Sequence, residues 1–329
     1  MVADDIAIRR LVAADAPALA RCFERCYGKS YVVADFYDPP VIAERVEREN
    51  LRSVVAVSPS GEIVGHMGLT IRDPRAQTVD AGNSVVDPAH RGRGVGLRLA
   101  AGVTGLCREA GFLGFHHYPT TAHPIMQRMA VDGGGIETGI MLGYIPSGTE
   151  YREMDGDPSR GRLAALVVYQ PLVPAPERRV FGPESLVAAI DAIYRRGSLA
   201  RVVEPGFEPL ASTPSRVETR FDARRALLRI DVSFAGSGLR ERVLEALEGT
   251  ESVVQQIDLR MAERSITAAI DVVRELGFFF SAILPEYLDG DVLRLQRAAG
   301  DAPPPNLVTD DAREIFRTIT VDRRRSAPR

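Results

Sequence analysis

Val85-Val86-Asp87-Pro88-Ala89-His90-Arg91-Gly92-Arg93-Gly94-Val95-Gly96-Leu97 stands between a strand-like run, Thr78–Val86, and a helix-like one, Val95–Glu109, where Val95, Leu99, Val103 and Leu106 recur at helical spacing. Three glycines within five positions let the backbone curl so that successive N–H groups converge on one point. The free amides of the first helical turn and the positive end of the helix dipole act on the same point, and Gly94 and Gly96 carry no Cβ to hold a ligand off. An anion is expected there, with Arg91 and Arg93 placed to add charge-assisted bonds. Two other phosphate loops fail on spacing. No Lys-Ser/Thr pair follows, as a Walker loop requires, and Gly92, Gly94 and Gly96 lack the Gly-x-Gly-x-x-Gly interval of a dinucleotide fingerprint.

Upstream of this turn, Ile6–Leu11 reads as a strand. Asp15–Tyr27 reads as a helix with Asp15 at its N-cap and Leu19, Cys22, Phe23 and Cys26 on one face. A second helix, Val41–Glu49, follows Pro39 and Pro40, and Ser53–Val57, Ile63–Ile71 and Thr78–Val86 form a meander. Downstream, Phe112–Tyr118 reads as a strand, His123–Val131 as a short helix, and Ile136–Ile145 and Leu163–Tyr169 as closing strands. Pro174 and Pro176 mark a linker, which divides the chain into residues 1–173, 174–300 and a tail, 301–329. The second part offers helices at Glu184–Arg196, Gly238–Leu247 and Ser265–Leu276. Its strands are expected at Arg216–Phe221, Ala226–Val232, Val253–Leu259, Phe278–Leu284 and Val292–Leu295. A shift of 142 residues lays His123 on Ser265 and Gly135 on Gly277, which points to an internal duplication. The tail is expected to hold a short helix near Asp310–Arg317 and a solvated run, Arg323-Arg324-Arg325.

Val-Asp-Pro-x-x-Arg-Gly-x-Gly-x-Gly, after a meander and before an amphipathic helix, resembles the signature of the GNAT acyltransferases, Arg/Gln-x-x-Gly-x-Gly/Ala. Arg91, Gly94 and Gly96 occupy its three fixed positions, and the resemblance in element order covers roughly residues 6–172. It implies an α/β protein with a mixed sheet, and acetyl-CoA or another acyl-CoA as co-substrate. The diphosphate would lie on the amides of Arg91, Gly92, Arg93, Gly94, Val95 and Gly96. The pantetheine would run beside a splayed strand at Val85 and Val86, with the thioester carbonyl held by an N–H near Val86. Direct acetyl transfer to an amine in a ternary complex, without a metal, is the reaction it implies. The second part, whose Phe234-Ala235-Gly236-Ser237-Gly238-Leu239 has two glycines but no signature, is expected to be a degenerate GNAT-like domain with a structural role.

Acyl transfer to an amine needs a base for the ammonium proton and an acid for the leaving thiolate. The tyrosine that such relatives often use is absent, since its place falls at Ala130 or Val131 with Met129 beside it. Their asparagine at the start of that helix is replaced by His123, which either caps the helix or touches CoA. All five histidines, His66, His90, His116, His117 and His123, precede the linker. Imidazole titrates near neutrality, and strand alternation puts at most one of His116 and His117 in the pocket. His117, Tyr118 as a substitute phenol and Asp80 form the expected catalytic set; Ser84, Glu137 and Tyr144 are weaker candidates.

The 329 residues are 45% apolar and 26% charged, with 41 basic side chains against 44 acidic, well mixed. That balance argues against nucleic acid or anionic lipid as partner. No apolar run approaches the roughly 18–20 residues of a membrane span, and MVADDIAIRR has no signal-peptide character, so a cytoplasmic location is expected. Cys22, Cys26 and Cys107 read as buried thiols, because a pair of cysteines lacks the other ligands zinc needs. The expected partner is a small-molecule or peptide amine, with a homodimer possible. Two other readings remain: acyl transfer to a hydroxyl or thiol, and a catalytically silent acyl-CoA sensor.

Overall fold

The computed structural model describes residues 6–71, 76–149, 161–298 and 303–326. In chain order the elements are β1 (Ala7–Arg10), α1 (Ala16–Tyr27), α2 (Pro39–Glu47), β2 (Leu51–Val57), β3 (Ile63–Thr70), β4 (Thr78–Val86), α3 (Val95–Glu109), β5 (Gly114–His117), α4 (Pro124–Asp132), β6 (Ile136–Ile145) and β7 (Leu163–Pro171). After residues 173–177, which form no regular structure, come β8 (Arg178–Gly182), α5 (Glu184–Arg196), β9 (Arg201–Pro205), β10 (Ala211–Pro214), β11 (Arg216–Asp222) and β12 (Leu227–Phe234). The chain continues through β13 (Gly236–Ser237), α6 (Leu239–Glu248), β14 (Val254–Arg260), α7 (Ile266–Glu275), β15 (Phe279–Leu284), β16 (Val292–Ala298) and α8 (Asp310–Arg325).

Alternating burial along the strands makes two layers of helix around one sheet. On β2, Leu51 and Val55 pack with Phe23 of α1 and Ile42 of α2, whereas Val54 and Ala56 face Leu99 and Val103 of α3. Twelve strands form a single mixed sheet in the order β1-β2-β3-β4-β5-β7-β6-β15-β16-β14-β12-β11. Read outward from the seam, β6-β7-β5-β4-β3 on one side matches β15-β16-β14-β12-β11 on the other, and β2 and β1 extend the first side alone. β4 runs parallel to β5, as β12 does to β14, and the remaining neighbours in each arm are antiparallel. The two arms join at β6 and β15, where Gly139 faces Ala282. A Cβ on Gly139 would lie 2.2 Å from that of Ala282, so only glycine lets the strands meet. Across the seam Ser281 Oγ donates to Ile140 O (2.9 Å) and Leu142 N to Gln296 Oε1 (3.0 Å).

Several expectations change here. The linker does not separate the sheet, which is continuous across it. The tail helix is twice the expected length: α8 runs to Arg325, buries Ala312, Ile315 and Ile319, and packs on β6 and β15. Arg323 is therefore not a solvated end, since its guanidinium lies 5.5 Å from the centre of the Phe279 ring. Within the tail, residues 301–302 and 327–329 lie outside the described residues. Asp15 stands at the N-cap of α1 as expected but makes no side-chain cap; its carboxylate accepts from Val12 N (3.0 Å) and pairs with Arg9 (2.6 Å). Among the described residues no helix is long and apolar enough to cross a membrane.

Candidate functional site

The ladder between β4 and β5 ends early. Thr78, Val79 and Asp80 pair with Gly114, Phe115 and His116, and beyond Asp80 the two strands separate. β4 also carries a bulge against β3, where Gly68 faces Gly82 but His66 faces Val85, with Asn83 at φ +52° absorbing the extra residue. His66 Nδ1 bonds the Asn83 carbonyl (2.7 Å) and Tyr31 Oη donates to Asn83 Oδ1 (3.0 Å), which fixes the bend. The result is a cavity of about 790 Å³ between the splayed strands, walled by α1, α4, the start of α3 and the turn between β11 and β12.

At one end lies the glycine-rich turn. Asp87 caps a single 3-10 turn, Pro88–His90, by accepting from Ala89 N (3.0 Å), and Gly92 and Gly94 then take φ +74°. Gly94 is the N-cap of α3 in the left-handed region, a conformation that costs a residue with a side chain about 1–2 kcal/mol. Arg98 N is the first helical amide to find an acceptor, Gly94 O at 3.2 Å. The amides of Gly92, Gly94, Val95, Gly96 and Leu97 have none among the described residues. A Cβ on Gly92 or Gly94 would meet nothing within 4 Å, so the turn is open to a ligand. These groups fit a diphosphate. The Arg91 side chain is committed differently from expectation, because its Nε donates to Val86 O (3.1 Å) and braces the end of β4. Asp87 N bonds Val64 O of β3 (2.9 Å), so strand alternation turns the Val86 amide to the opposite, open side, where a thioester carbonyl could accept from it.

Of the expected catalytic set, all three side chains line the cavity. Tyr118 Oη donates to Asp80 Oδ1 at 2.7 Å, across the point where the strands part. His117 is 9% exposed and its Nε2 has no partner among the described residues. Burial pushes His117 down to about 4, well away from the near-neutral titration expected of an imidazole. It is therefore a neutral hydrogen-bonding group at physiological pH. His116 faces the other way and bonds Pro285 O (2.9 Å), as alternation requires. His123 makes no side-chain cap on α4; it lines the cavity, and burial together with nearby Arg91 lowers its pKa. Ala130 is buried in the core, while neighbouring Met129 lines the cavity. Ser84 and Tyr144 also line it, but Glu137 lies elsewhere, accepting from Thr309 Oγ1 (2.6 Å) at the start of α8. Cys22, Cys26 and Cys107 are buried free thiols.

The opposite end of the cavity was not anticipated. Asp222, Arg224, Arg225 and Arg229, all beyond the linker, close it. Arg224 pairs with Asp35 (3.0 Å), which also holds Arg45 (3.1 Å), and Arg225 pairs with Asp222 (2.7 Å). The Arg225 guanidinium lies 5.2 Å from the centre of the Tyr144 ring, and Arg229 Nη2 donates to Tyr144 Oη at 3.3 Å. The one sequence signal was a charge inside an apolar strand, Leu227-Leu228-Arg229-Ile230.

No curated protein matches this sequence. Among solved structures, the chain is similar to a phosphinothricin acetyltransferase from Sinorhizobium meliloti in complex with AcCoA, at 19% identity, covering 50% of this chain and 88% of that one with a TM-score of 0.41. It is also similar to the ribosomal-protein-S18-alanine N-acetyltransferase of Escherichia coli, at 16% identity over 53% of this chain and 97% of that one, TM-score 0.41. An N-acetyltransferase from Staphylococcus aureus Mu50 matches at 12% identity over 51% and 99%, TM-score 0.42. Residues 16–124, which run from α1 through the glycine-rich turn to the first residue of α4, match the family model of the Acetyltransferase (GNAT) family, and over that stretch the chain carries a domain of this family.

Proposed function

We propose that the protein is an acyl-CoA-dependent N-acyltransferase that moves an acetyl group from acetyl-CoA to an amine by direct attack. The observation that carries this reading is the set of amides of Gly92, Gly94, Val95, Gly96 and Leu97, which find no acceptor among the described residues and open onto a splayed strand within a GNAT-family domain. The diphosphate would rest on those amides and the thioester carbonyl on the Val86 N–H. The amine nitrogen attacks the carbonyl carbon, the C–S bond breaks, one ammonium proton leaves to a base and one proton goes to the thiolate. Asp80 and Tyr118, already hydrogen-bonded at 2.7 Å, are proposed to handle these protons. His117, kept neutral by burial, is proposed to orient the amine or a water through its open Nε2. The arm beyond the linker is proposed to be a degenerate copy of the first that closes the acceptor end.

The test is release of free thiol from acetyl-CoA across a panel of primary amines. Turnover with at least one amine is expected, and Tyr118→Phe should lower kcat by about 100-fold, the scale of a lost proton-transfer group. Binding of acetyl-CoA without turnover on any amine, hydroxyl or thiol would replace this reading with that of a silent acyl-CoA sensor.

A further inference from the structure

Among the described residues, the acceptor end of the cavity holds one arginine without an ion-pair partner of its own. Four arginines line that end: Arg45, Arg224, Arg225 and Arg229. Asp35 serves Arg45 and Arg224, and Asp222 serves Arg225. Among the described residues Arg229 has no carboxylate within ion-pair distance, its side chain donates to the Tyr144 hydroxyl alone, and its Nε is shielded from solvent without a partner. A guanidinium stays protonated in any protein environment and presents a planar fork of donors matched to a carboxylate. Leaving such a fork half-buried and unpaired is costly unless something else completes it.

What lies beside it narrows the choice. Tyr144 bridges Arg229 to Tyr118, whose ring centre is 6.0 Å from its own, and Tyr118 is bonded to Asp80. An anion on Arg229 would thus lie one ring beyond the proton-handling pair, in the position of a second group on the molecule that brings the amine. The rim ion pair between Arg224 and Asp35 closes that end from outside.

From this geometry we infer that Arg229, supported by Arg225, forms a carboxylate subsite for the acceptor, so that the amines used are small amino acids rather than simple amines or polyamines. The inference rests on the acyltransferase reading of the cleft but is tested apart from it. Matched pairs of glycine, methionine, phenylalanine and glutamate with their α-carboxamides are compared for kcat/KM at saturating acetyl-CoA. The acids should be preferred at least tenfold. Arg229→Gln should reduce the preference to less than twofold while leaving the affinity for acetyl-CoA unchanged, and Arg229→Lys should retain part of it. Equal rates for acid and amide, or a preference that survives Arg229→Gln, overturn the inference. Should no amine turn over, N-acetyl amino acids and their amides are titrated calorimetrically into the protein–CoA complex. Arg229-dependent binding of the acids alone keeps the subsite and removes the transfer reaction; equal or absent binding of both removes the subsite.

Discussion

The turns before α3 and before α6 have nearly the same backbone and opposite fates. Gly94 and Gly238 both cap their helices in the left-handed region, at φ 74°, ψ 8° and φ 71°, ψ 13°. In the first arm the strand before the turn loses its neighbour beyond Asp80, and the amides after it stay open. In the second, β12 pairs with β14 over Leu227–Val232, and β10 lies on the turn itself. Gly236 N donates to Ser215 Oγ (2.9 Å), Ser215 N to Ser237 O (3.0 Å) and Ser237 Oγ to Ser212 O (2.8 Å). The chain thus covers its own second turn. Where the strand ends meet α7 only about 10 Å³ of space remains, against about 790 Å³ in the first arm. A left-handed glycine before a helix is therefore not by itself a mark of a site; strand separation and uncovered amides set the first turn apart from the second.

The arms differ equally in how they hold charge. Beyond the linker Arg294 is fully buried and grips Asp258 through two bonds of 2.7 Å, and Arg201 joins Glu286 (2.5 Å) and Asp291 (2.7 Å), all with buried side chains. The Glu286 carbonyl accepts from Thr78 Oγ1 (2.9 Å), which ties this cluster to β4. In the first arm, pairs such as Arg9 with Asp15 and Arg25 with Asp87 leave the arginine partly exposed. Asp258→Ala should therefore cost about 3–5 kcal/mol in denaturant unfolding, because it strands a buried guanidinium. Asp15→Ala should cost about 1 kcal/mol or less. Equal costs would break the contrast.

Histidine titration should act on the first arm alone, since the second has no histidine. Burial holds His66 and His117 at about 4, whereas in the unfolded chain an imidazole binds its proton near pH 6.5. The unfolded state thus takes up protons first, so stability is complete above that pH and falls as pH drops towards 4, by about 1.4 kcal/mol per pH unit for each group. The unfolding midpoint measured from pH 7 to 4.5 should fall with that sign, and His117→Phe should make the slope shallower by one imidazole's share, His66 and His123 keeping theirs. A midpoint indifferent to pH over this range would contradict the burial of both rings.

Much of the fold was legible because its signals are local. The apolar spacing of α3 and the even runs of β4 and β6 give their observed bounds, and the glycine turn declares its amides by composition. β8, β9 and β10 are short, and β10 is fully exposed, so no apolar period marks it. α8 buries a thin stripe within sixteen mostly polar residues, which hides its length. The site divides in the same way. Its glycine-rich end comes from one stretch, Val85–Leu97, but the proposed acceptor end brings Arg225 and Arg229 against Tyr144, about eighty positions away, and only the folded sheet shows that meeting. The pKa of His117 was equally hidden, since it depends on what surrounds the ring.

The contrast between the two turns is tested most directly by calorimetric titration with acetyl-CoA of the wild-type protein, Gly94→Trp and Gly238→Trp. The account predicts one molecule bound per chain, affinity reduced by at least about 100-fold in Gly94→Trp, and no loss in Gly238→Trp. Two molecules per chain, no binding at all, or affinity that survives a tryptophan at position 94 would contradict it.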